Sequence, residues 1–318
     1  MNRELLKELM YTHGISGREN RVANLIKTKI EKHVDSVEID KVGNLIAHKS
    51  GKGKKLLFVA SMDSVGFFAD YIMPNGDVRV SSIRGLNYDG IKDEAVVSQN
   101  GVTGKIVPDS DDDELNYTSV HIDIGAKDRC EAESLVKVTD SFTFEPSLRK
   151  LDGTKYVGNP FDNRISCYAL IEAIRKIKKQ GYDLYFGFET QREDMHPGSR
   201  NIVYRVEPDY VIYLDVATGK QSKIGEGAAI KIKDKGGACS KEIIELIEEA
   251  SERKKVTTQY DINDSYSSAL SELRTIKRGC EVGGISVPCE KNHTSKEKID
   301  FKDVEGMISI INGIIEVE

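Results

Sequence analysis

Acidic side chains follow several short apolar segments of this chain, at the positions where strands would end. Asp63 follows one such segment, Glu193 follows a second and Asp215 closes a third; the segments span residues 56–60, 184–188 and 210–214. Because ligands bind beyond the carboxyl ends of the strands in α/β sheets, these carboxylates are expected to lie close together. The spacing therefore predicts a ligand site at one edge of a sheet.

Two more side chains fit the same edge. Asp162 lies just before a helical pattern that begins near Ile165, and His293 follows the apolar segment 284–287. Like charges that lie this close repel one another, and a dication or an arginine commonly neutralises them. The joint placement of four carboxylates and one imidazole therefore indicates a metal site.

Each of these residues also has an ordinary structural interpretation. Asp162 could cap its helix, and Asp63 and Asp215 could form turns at strand ends. A single histidine such as His293 is more often a surface or core residue than a ligand. The metal hypothesis depends on all of these residues being placed together.

The elements that would position these side chains form an α/β pattern with a β-rich interruption. Apolar stripes predict two helices in the first 33 residues, and alternation predicts a strand over residues 36–46. Short alternating runs without a long helix follow, and helix–strand alternation then returns. We predict an α/β domain made of residues 1–65 and 153–318, and a β-rich inserted domain of residues 66–152 that serves oligomerisation.

Composition excludes several classes of protein. The 318 residues are 39% hydrophobic and 31% charged, which is typical of a soluble globular protein. No segment approaches the roughly 20 apolar residues of a membrane span, and a net charge of −6 argues against a nucleic-acid partner. The five cysteines form no Cys-x-x-Cys pair and the first residues lack a signal-peptide core, so we expect a cytoplasmic location.

An acidic segment at residues 109–114 invites comparison with a calcium loop. It lacks the glycine at the sixth place and the acidic residue at the twelfth place of an EF-hand loop. We therefore predict a solvated loop there.

Ordered motifs along nearly the whole chain resemble the glutamyl-aminopeptidase and deblocking-aminopeptidase family of dinuclear metallopeptidases. The motifs are His13-Gly14-Ile15-Ser16-Gly17, Val42-Gly43-Asn44-Leu45-Ile46, Met62-Asp63-Ser64-Val65-Gly66, Ile122-Asp123-Ile124-Gly125-Ala126, Asp162-Asn163-Arg164, Leu214-Asp215-Val216, 224–230 and Ile285-Ser286-Val287-Pro288. The resemblance implies a zinc-peptidase-like α/β fold of the phosphorylase/hydrolase type, with a mixed sheet flanked by helices and a β-rich insert. It also implies homo-oligomers, because members of this family form tetrahedral shells.

The resemblance further implies a role for each candidate residue. The family uses two metal ions, usually zinc or cobalt, that are bridged by an aspartate and a water, with a glutamate as general base. On this pattern Asp162 is the bridging ligand, and Glu193 and His293 complete one metal site. Asp215 is a ligand of the second metal, and Asp63 supports the neighbouring histidine ligand.

Two positions depart from that pattern. Ser61 stands where the family has the histidine ligand of the second metal, and Arg192 stands where the family has the general-base glutamate. Arginine stays protonated in proteins and cannot accept a proton from water. We therefore expect zero or one divalent ion per chain, with zinc or cobalt as the metal, and Arg192 beside Asp162 or Asp215.

Further departures affect the substrate pocket and the missing base. The segment 263–268 replaces a glycine-rich segment of the family, and Asp194 and His196 are the nearest candidates for a substitute base. Two functions remain open: an aminopeptidase with weak or altered activity on peptide N-termini or small peptides, and a catalytically inactive paralogue that serves as a binding or structural subunit. Neither hypothesis involves a nucleic acid or a membrane.

Overall fold

Two β-systems organise the chain, a twelve-stranded mixed sheet flanked by helices and a six-stranded closed barrel. The computed structural model describes residues 1–83, 85–88, 90–109, 116, 119–194, 197–219, 221–263 and 279–316. The α/β class with a mixed sheet is confirmed. None of the helices in these ranges is both long and apolar enough to cross a membrane.

Seven helices lie within the described residues. They are α1 (Arg3–Tyr11), α2 (Asn20–Ile30), α3 (Arg129–Leu135), α4 (Arg164–Ile174), α5 (Pro197–Val206), α6 (Lys241–Lys254) and α7 (Phe301–Ile315). The sheet strands are β1 (Ser36–Ile39), β2 (Leu45–Lys49), β3 (Lys55–Ser61), β10 (Ser147–Lys150), β11 (Lys155–Asn159), β12 (Asp183–Glu189), β13 (Tyr210–Ala217), β14 (Ala228–Asp234), β15 (Gly237–Ala238), β16 (Thr258–Ile262), β17 (Glu281–Glu290) and β18 (Glu297–Asp300). The barrel strands are β4 (Phe67–Ile72), β5 (Val78–Ser82), β6 (Ala95–Ser98), β7 (Thr103–Pro108), β8 (Val120–Asp123) and β9 (Ser141–Phe144).

Four neighbouring strands in the middle of the sheet run parallel, in the order β12, β3, β13 and β17. The register pairs Glu189 with Ser61, and Asp215 with Ser286. Because these strands point the same way, their carboxyl ends meet at one edge. The loops that follow them therefore converge, as the apolar runs of the sequence predict.

Both faces of these central strands are buried under helices, which explains their continuous apolar runs. Side chains alternate between the faces of a strand. Leu56 and Phe58 of β3 therefore join the larger core cluster, which includes residues of α1, α2, α4, α6 and α7. Leu57 and Val59 face the opposite way and join the cluster that α5 covers.

The barrel has an apolar core of its own. Its strands pair in the closed order β4-β5-β8-β7-β6-β9, and Phe67, Phe142 and Phe144 lie fully buried inside it. Phe67 and Phe144 meet edge to face, with ring centroids 6.0 Å apart. Alternating runs of the sequence form these strands, and Arg129–Leu135 form the short helix α3 between β8 and β9.

One local prediction is wrong. The strand predicted over residues 36–46 is two antiparallel strands, β1 and β2. The chain turns between them because the Asp40 carboxylate accepts the backbone N–H groups of Val42 and Asn44, at 2.9 and 3.0 Å.

The acidic segment lies mostly outside the described residues, which stop at Asp109 and resume at Asn116. Asp109 itself forms a bidentate pair with Arg79 on the barrel, at 3.0 and 3.2 Å.

Candidate metal centre

Three of the predicted ligands meet at the carboxyl edge of the sheet. Asp162 lies just before α4, Glu193 lies in the loop after β12, and His293 lies in the turn between β17 and β18. Nε2 of His293 lies 3.0 Å from Oδ2 of Asp162 and 3.3 Å from Oε2 of Glu193. One ligand atom from each residue lies within 4.8 Å of the other two, and all three side chains are buried. We call these residues the ligand trio.

The barrel side of the molecule fixes the direction of the imidazole. Nδ1 of His293 lies 2.6 Å from the carbonyl oxygen of Gly85, so Nδ1 donates and Nε2 turns toward the carboxylates. Gly85 has a φ of +78°, and a Cβ there would lie 3.1 Å from the imidazole ring. A glycine is therefore needed at this position for both its backbone conformation and the close approach of the ring.

The electrostatics of the ligand trio favour a cation. Burial raises the pKa of Glu193 to about 8; His293 opposes that rise and Asp162 adds to it. Burial alone would lower the pKa of His293, but the carboxylates of Glu193 and Asp162 raise it well above its usual value. Two carboxylates thus share a dry site with one imidazole.

The donor set suits a divalent metal ion. Oδ1 of Asp162 is buried and accepts no hydrogen bond from the described part of the chain, which is the state expected of an atom that waits for a metal ion. Two carboxylate oxygens and one imidazole nitrogen leave room for a further ligand, as in catalytic zinc sites. The ligand trio is also the one group of this kind found in the described ranges.

Asp63 lies beneath the loop that carries Glu193. Its Oδ2 accepts the Ser16 hydroxyl and, at 2.9 Å, the backbone N–H of Glu193. Burial raises the pKa of this carboxyl, and these hydrogen bonds oppose the rise. Asp63 therefore fixes the backbone of the loop that carries Glu193. The sequence resemblance predicted a different role for it, the support of a neighbouring histidine.

Near Asp215 the carboxylate is paired with an arginine rather than with a histidine. Nη2 of Arg192 lies 3.8 Å from Oδ2 of Asp215, with the two side chains only 3% and 2% exposed. The expectation that Arg192 lies beside Asp162 or Asp215 is thus confirmed for Asp215. Nε of Arg192 donates to the Tyr213 hydroxyl at 3.0 Å, and that hydroxyl donates to Glu189 at 2.5 Å.

A second buried cation, missed in the sequence, faces the same carboxylate. Lys231 on β14 is 2% exposed, and its Nζ lies 3.0 Å from Oδ2 of Asp261. Burial raises the pKa of Asp215 to about 6, whereas Arg192 and Lys231 both lower it. Asp215, Asp261, Arg192 and Lys231 thus form a set of two anions and two cations, which we call the charge quartet.

Ser61 does not offer a replacement for the missing imidazole. Its hydroxyl oxygen accepts Nδ2 of Asn163 at 3.0 Å, and the same amide donates to the Leu214 carbonyl at 2.9 Å. A second dication beside Asp215 would therefore lack an imidazole and would face two fixed cations. The residues present do not fit it.

The adjacent Arg164 joins the N-terminal segment to this edge. Its buried guanidinium donates to four backbone carbonyls, those of Leu9, Thr12, Gly14 and Met62. Of the candidate substitute bases, Asp194 is exposed, and His196 lies outside the described residues. Residues 264–268 of the altered pocket segment also lie outside them.

An α/β fold with a carboxylate–imidazole ligand set at the carboxyl edge of its sheet is typical of metallopeptidases. The model of the M42 glutamyl aminopeptidase family matches residues 43–310, and the chain belongs to that family of divalent-metal peptidases. A putative aminopeptidase of Acetivibrio thermocellus is 32% identical over 97% of this chain and 96% of its own length.

Solved structures of aminopeptidases share the fold. Aminopeptidase APDkam598 from the archaeon Desulfurococcus kamchatkensis superposes with a TM-score of 0.95 at 26% identity, covering 99% of this chain and 94% of that one. The TET1 peptidase of Pyrococcus horikoshii superposes with a TM-score of 0.90 at 24% identity, covering 99% of both chains.

Proposed function

We propose that this chain is an M42-type metallo-aminopeptidase that holds a single divalent ion, zinc or cobalt, through Asp162, Glu193 and His293. The observation that carries the proposal is the buried Arg192 guanidinium, which lies 3.8 Å from Asp215. A second metal ion at Asp215 would need an anionic pocket, and the guanidinium places a positive charge there instead. A bound divalent ion polarises a carbonyl oxygen and lowers the pKa of a bound water. The proposed substrates are peptide N-termini or small peptides.

The chain's own residues supply less than the family pattern requires. Arg192 cannot take a proton, and the loss of a general base costs roughly 10²–10⁴ in rate. Asp63 and Gly85 still orient Glu193 and His293. We therefore expect weak or altered hydrolysis of aminoacyl bonds.

A panel of aminoacyl reporter substrates, assayed with added zinc or cobalt, tests this proposal. Slow hydrolysis should disappear with a chelator and in His293→Ala, because His293 is a proposed ligand. His33→Ala replaces an exposed histidine far from the ligand trio in sequence and should leave the rate unchanged. Hydrolysis that survives the loss of His293 would contradict a role for the trio.

The second candidate is a catalytically inactive paralogue, which the presence of Arg192 at the general-base position also favours. This candidate retains the ligand trio and the insert of residues 66–152, and serves as a binding or structural subunit. Metal binding without hydrolysis of any reporter would support it over the first candidate.

Self-association through the β-rich insert of residues 66–152 completes the proposal. The TET1 peptidase of Pyrococcus horikoshii can assemble into a tetrahedron or a large octahedral shell. Tyr71, Leu135 and Val138 of the insert are large apolar side chains that are each about half exposed, at 45%, 44% and 49%. Leu135→Asp combined with Val138→Asp should yield smaller particles by light scattering, and unchanged particle size would overturn this role.

A further inference from the structure

Glu297 lies beneath the ligand trio and binds the backbone of two of its members. This residue begins β18, and its carboxylate is buried at 1% exposure. Oε1 accepts the backbone N–H of His293 at 2.9 Å. Oε2 accepts the backbone N–H groups of Phe161 and Asp162 at 2.5 and 3.0 Å.

These hydrogen bonds link two segments that are distant in the sequence. Asp162 belongs to the segment that enters α4, whereas His293 belongs to the turn after β17. One rigid carboxylate group holds both, so the separation of the two ligand residues depends on it.

The turn around His293 depends on such a partner. His293 has a φ of +59°, in the left-handed region that side chains other than glycine rarely adopt. A conformation of this kind persists only where the surroundings determine it. The bond from the His293 N–H to Glu297 holds the backbone, and the bond from Nδ1 to Gly85 holds the ring.

We propose that Glu297 is a positioning residue of the metal centre, because its two carboxylate oxygens set the separation between Asp162 and His293 and thereby set metal affinity. The inference rests on the proposed ligand trio. It adds a group that contacts only the backbone N–H groups of the two ligand residues and not their metal-binding atoms. Outer partners of metal ligands typically contribute about 10–100-fold to affinity.

If the role of Glu297 were only structural, the loss of another buried carboxylate that accepts two backbone N–H groups should have the same effect. Asp303 on α7 is fully buried, and its two oxygens accept the N–H groups of Gly225 and Gly227 at 2.7 and 2.9 Å. These partners lie outside the segments that carry the ligand trio. Asp303 is therefore a matched control for the loss of a doubly hydrogen-bonded buried carboxylate.

The experiment compares Glu297→Gln and Asp303→Asn by calorimetric titration of the metal-free proteins with Co²⁺, together with the absorption spectrum of the bound cobalt. Each substitution places an NH₂ group against a backbone N–H donor, so both variants should unfold more easily. Only Glu297→Gln should raise the Kd for Co²⁺, by about 10–100-fold, and shift the cobalt spectrum.

Each other outcome has a defined meaning. A Kd and spectrum unchanged in Glu297→Gln, or an equal loss of affinity in Asp303→Asn, would overturn the positioning role and leave the proposed function standing. Absence of Co²⁺ binding by the unsubstituted protein would overturn both. If Glu297→Gln does not fold, Glu297→Asp answers the same question, because the carboxylate remains but is one methylene shorter: weakened binding supports the role and unchanged binding overturns it.

Discussion

The ligand trio and the charge quartet are neighbouring groups of buried carboxylates, and the negative charge is compensated differently in each. The trio brings Asp162 and Glu193 against one imidazole, and the pKa of Glu193 rises to about 8 because it is buried. The quartet balances Asp215 and Asp261 with Arg192 and Lys231. A mobile dication suits the first arrangement, whereas the second carries its own fixed cations.

The difference gives a physical reason for the proposed loss of one metal ion from this site without loss of the fold. If the second metal site held neither a metal ion nor another cation, its carboxylates would be buried as like charges. Their burial would then lower the stability of the fold. Arg192 and Lys231 supply positive charge beside Asp215. The side-chain amide of Asn163 donates a hydrogen bond to the Ser61 hydroxyl oxygen. We infer that these residues stabilise a one-metal form of the scaffold.

The largest expected effect follows from removing a cation from the charge quartet. Arg192→Glu should lower the free energy of unfolding of the metal-free protein by about 3–5 kcal/mol, because it removes one of the two cations that face Asp215 and adds a buried anion. Denaturant unfolding in the presence of a chelator measures this change.

Arg205 provides the control, since it pairs with Glu38 at 2.5 Å but the two side chains are 51% and 46% exposed. Arg205→Glu should change the unfolding free energy by no more than about 0.5–1 kcal/mol. Equal effects of the two substitutions would show that the burial of Arg192 contributes nothing to charge balance.

A smaller effect is expected on the ligand-trio side. Gly85→Ala would place a Cβ 3.1 Å from the His293 ring, at a φ of +78°. Backbone strain should cost about 1–2 kcal/mol, and displacement of the imidazole should weaken Co²⁺ binding by about tenfold. Calorimetric titration and thermal unfolding separate the two effects.

Gly101→Ala separates strain from displacement, because Gly101 has a φ of +89° and nothing lies within 4 Å of its added Cβ. This variant should show the same loss of stability with unchanged metal affinity. Weakened Co²⁺ binding in Gly101→Ala, or full affinity in Gly85→Ala, would contradict the role assigned to Gly85.

The sequence predicts the central strands and the residues that follow them well. β3, β12 and β13 are buried on both faces, so their apolar runs are unambiguous, and Asp63, Glu193 and Asp215 are found at the carboxyl ends of these runs. The β1–β2 turn was missed because the Asp40 hydrogen bonds that make it are invisible in an alternating pattern.

The partners of the site residues were harder to predict because they depend on long-range contacts. Gly85 and His293 are 208 positions apart. Lys231 is buried only because β14 is paired on both sides, with β16 and β17. Glu297 resembles an ordinary surface glutamate until the turn folds back over Asp162. No local pattern carries such information.

The most direct test of the one-metal account is the number of tightly bound ions per chain. Protein loaded with Zn²⁺ or Co²⁺ and then dialysed should contain one ion by elemental analysis. Ser61→His combined with Arg192→Glu restores an imidazole and a base carboxylate and removes a cation, so it should contain two ions and hydrolyse aminoacyl reporters faster. Two ions per chain in the unsubstituted protein would contradict the account.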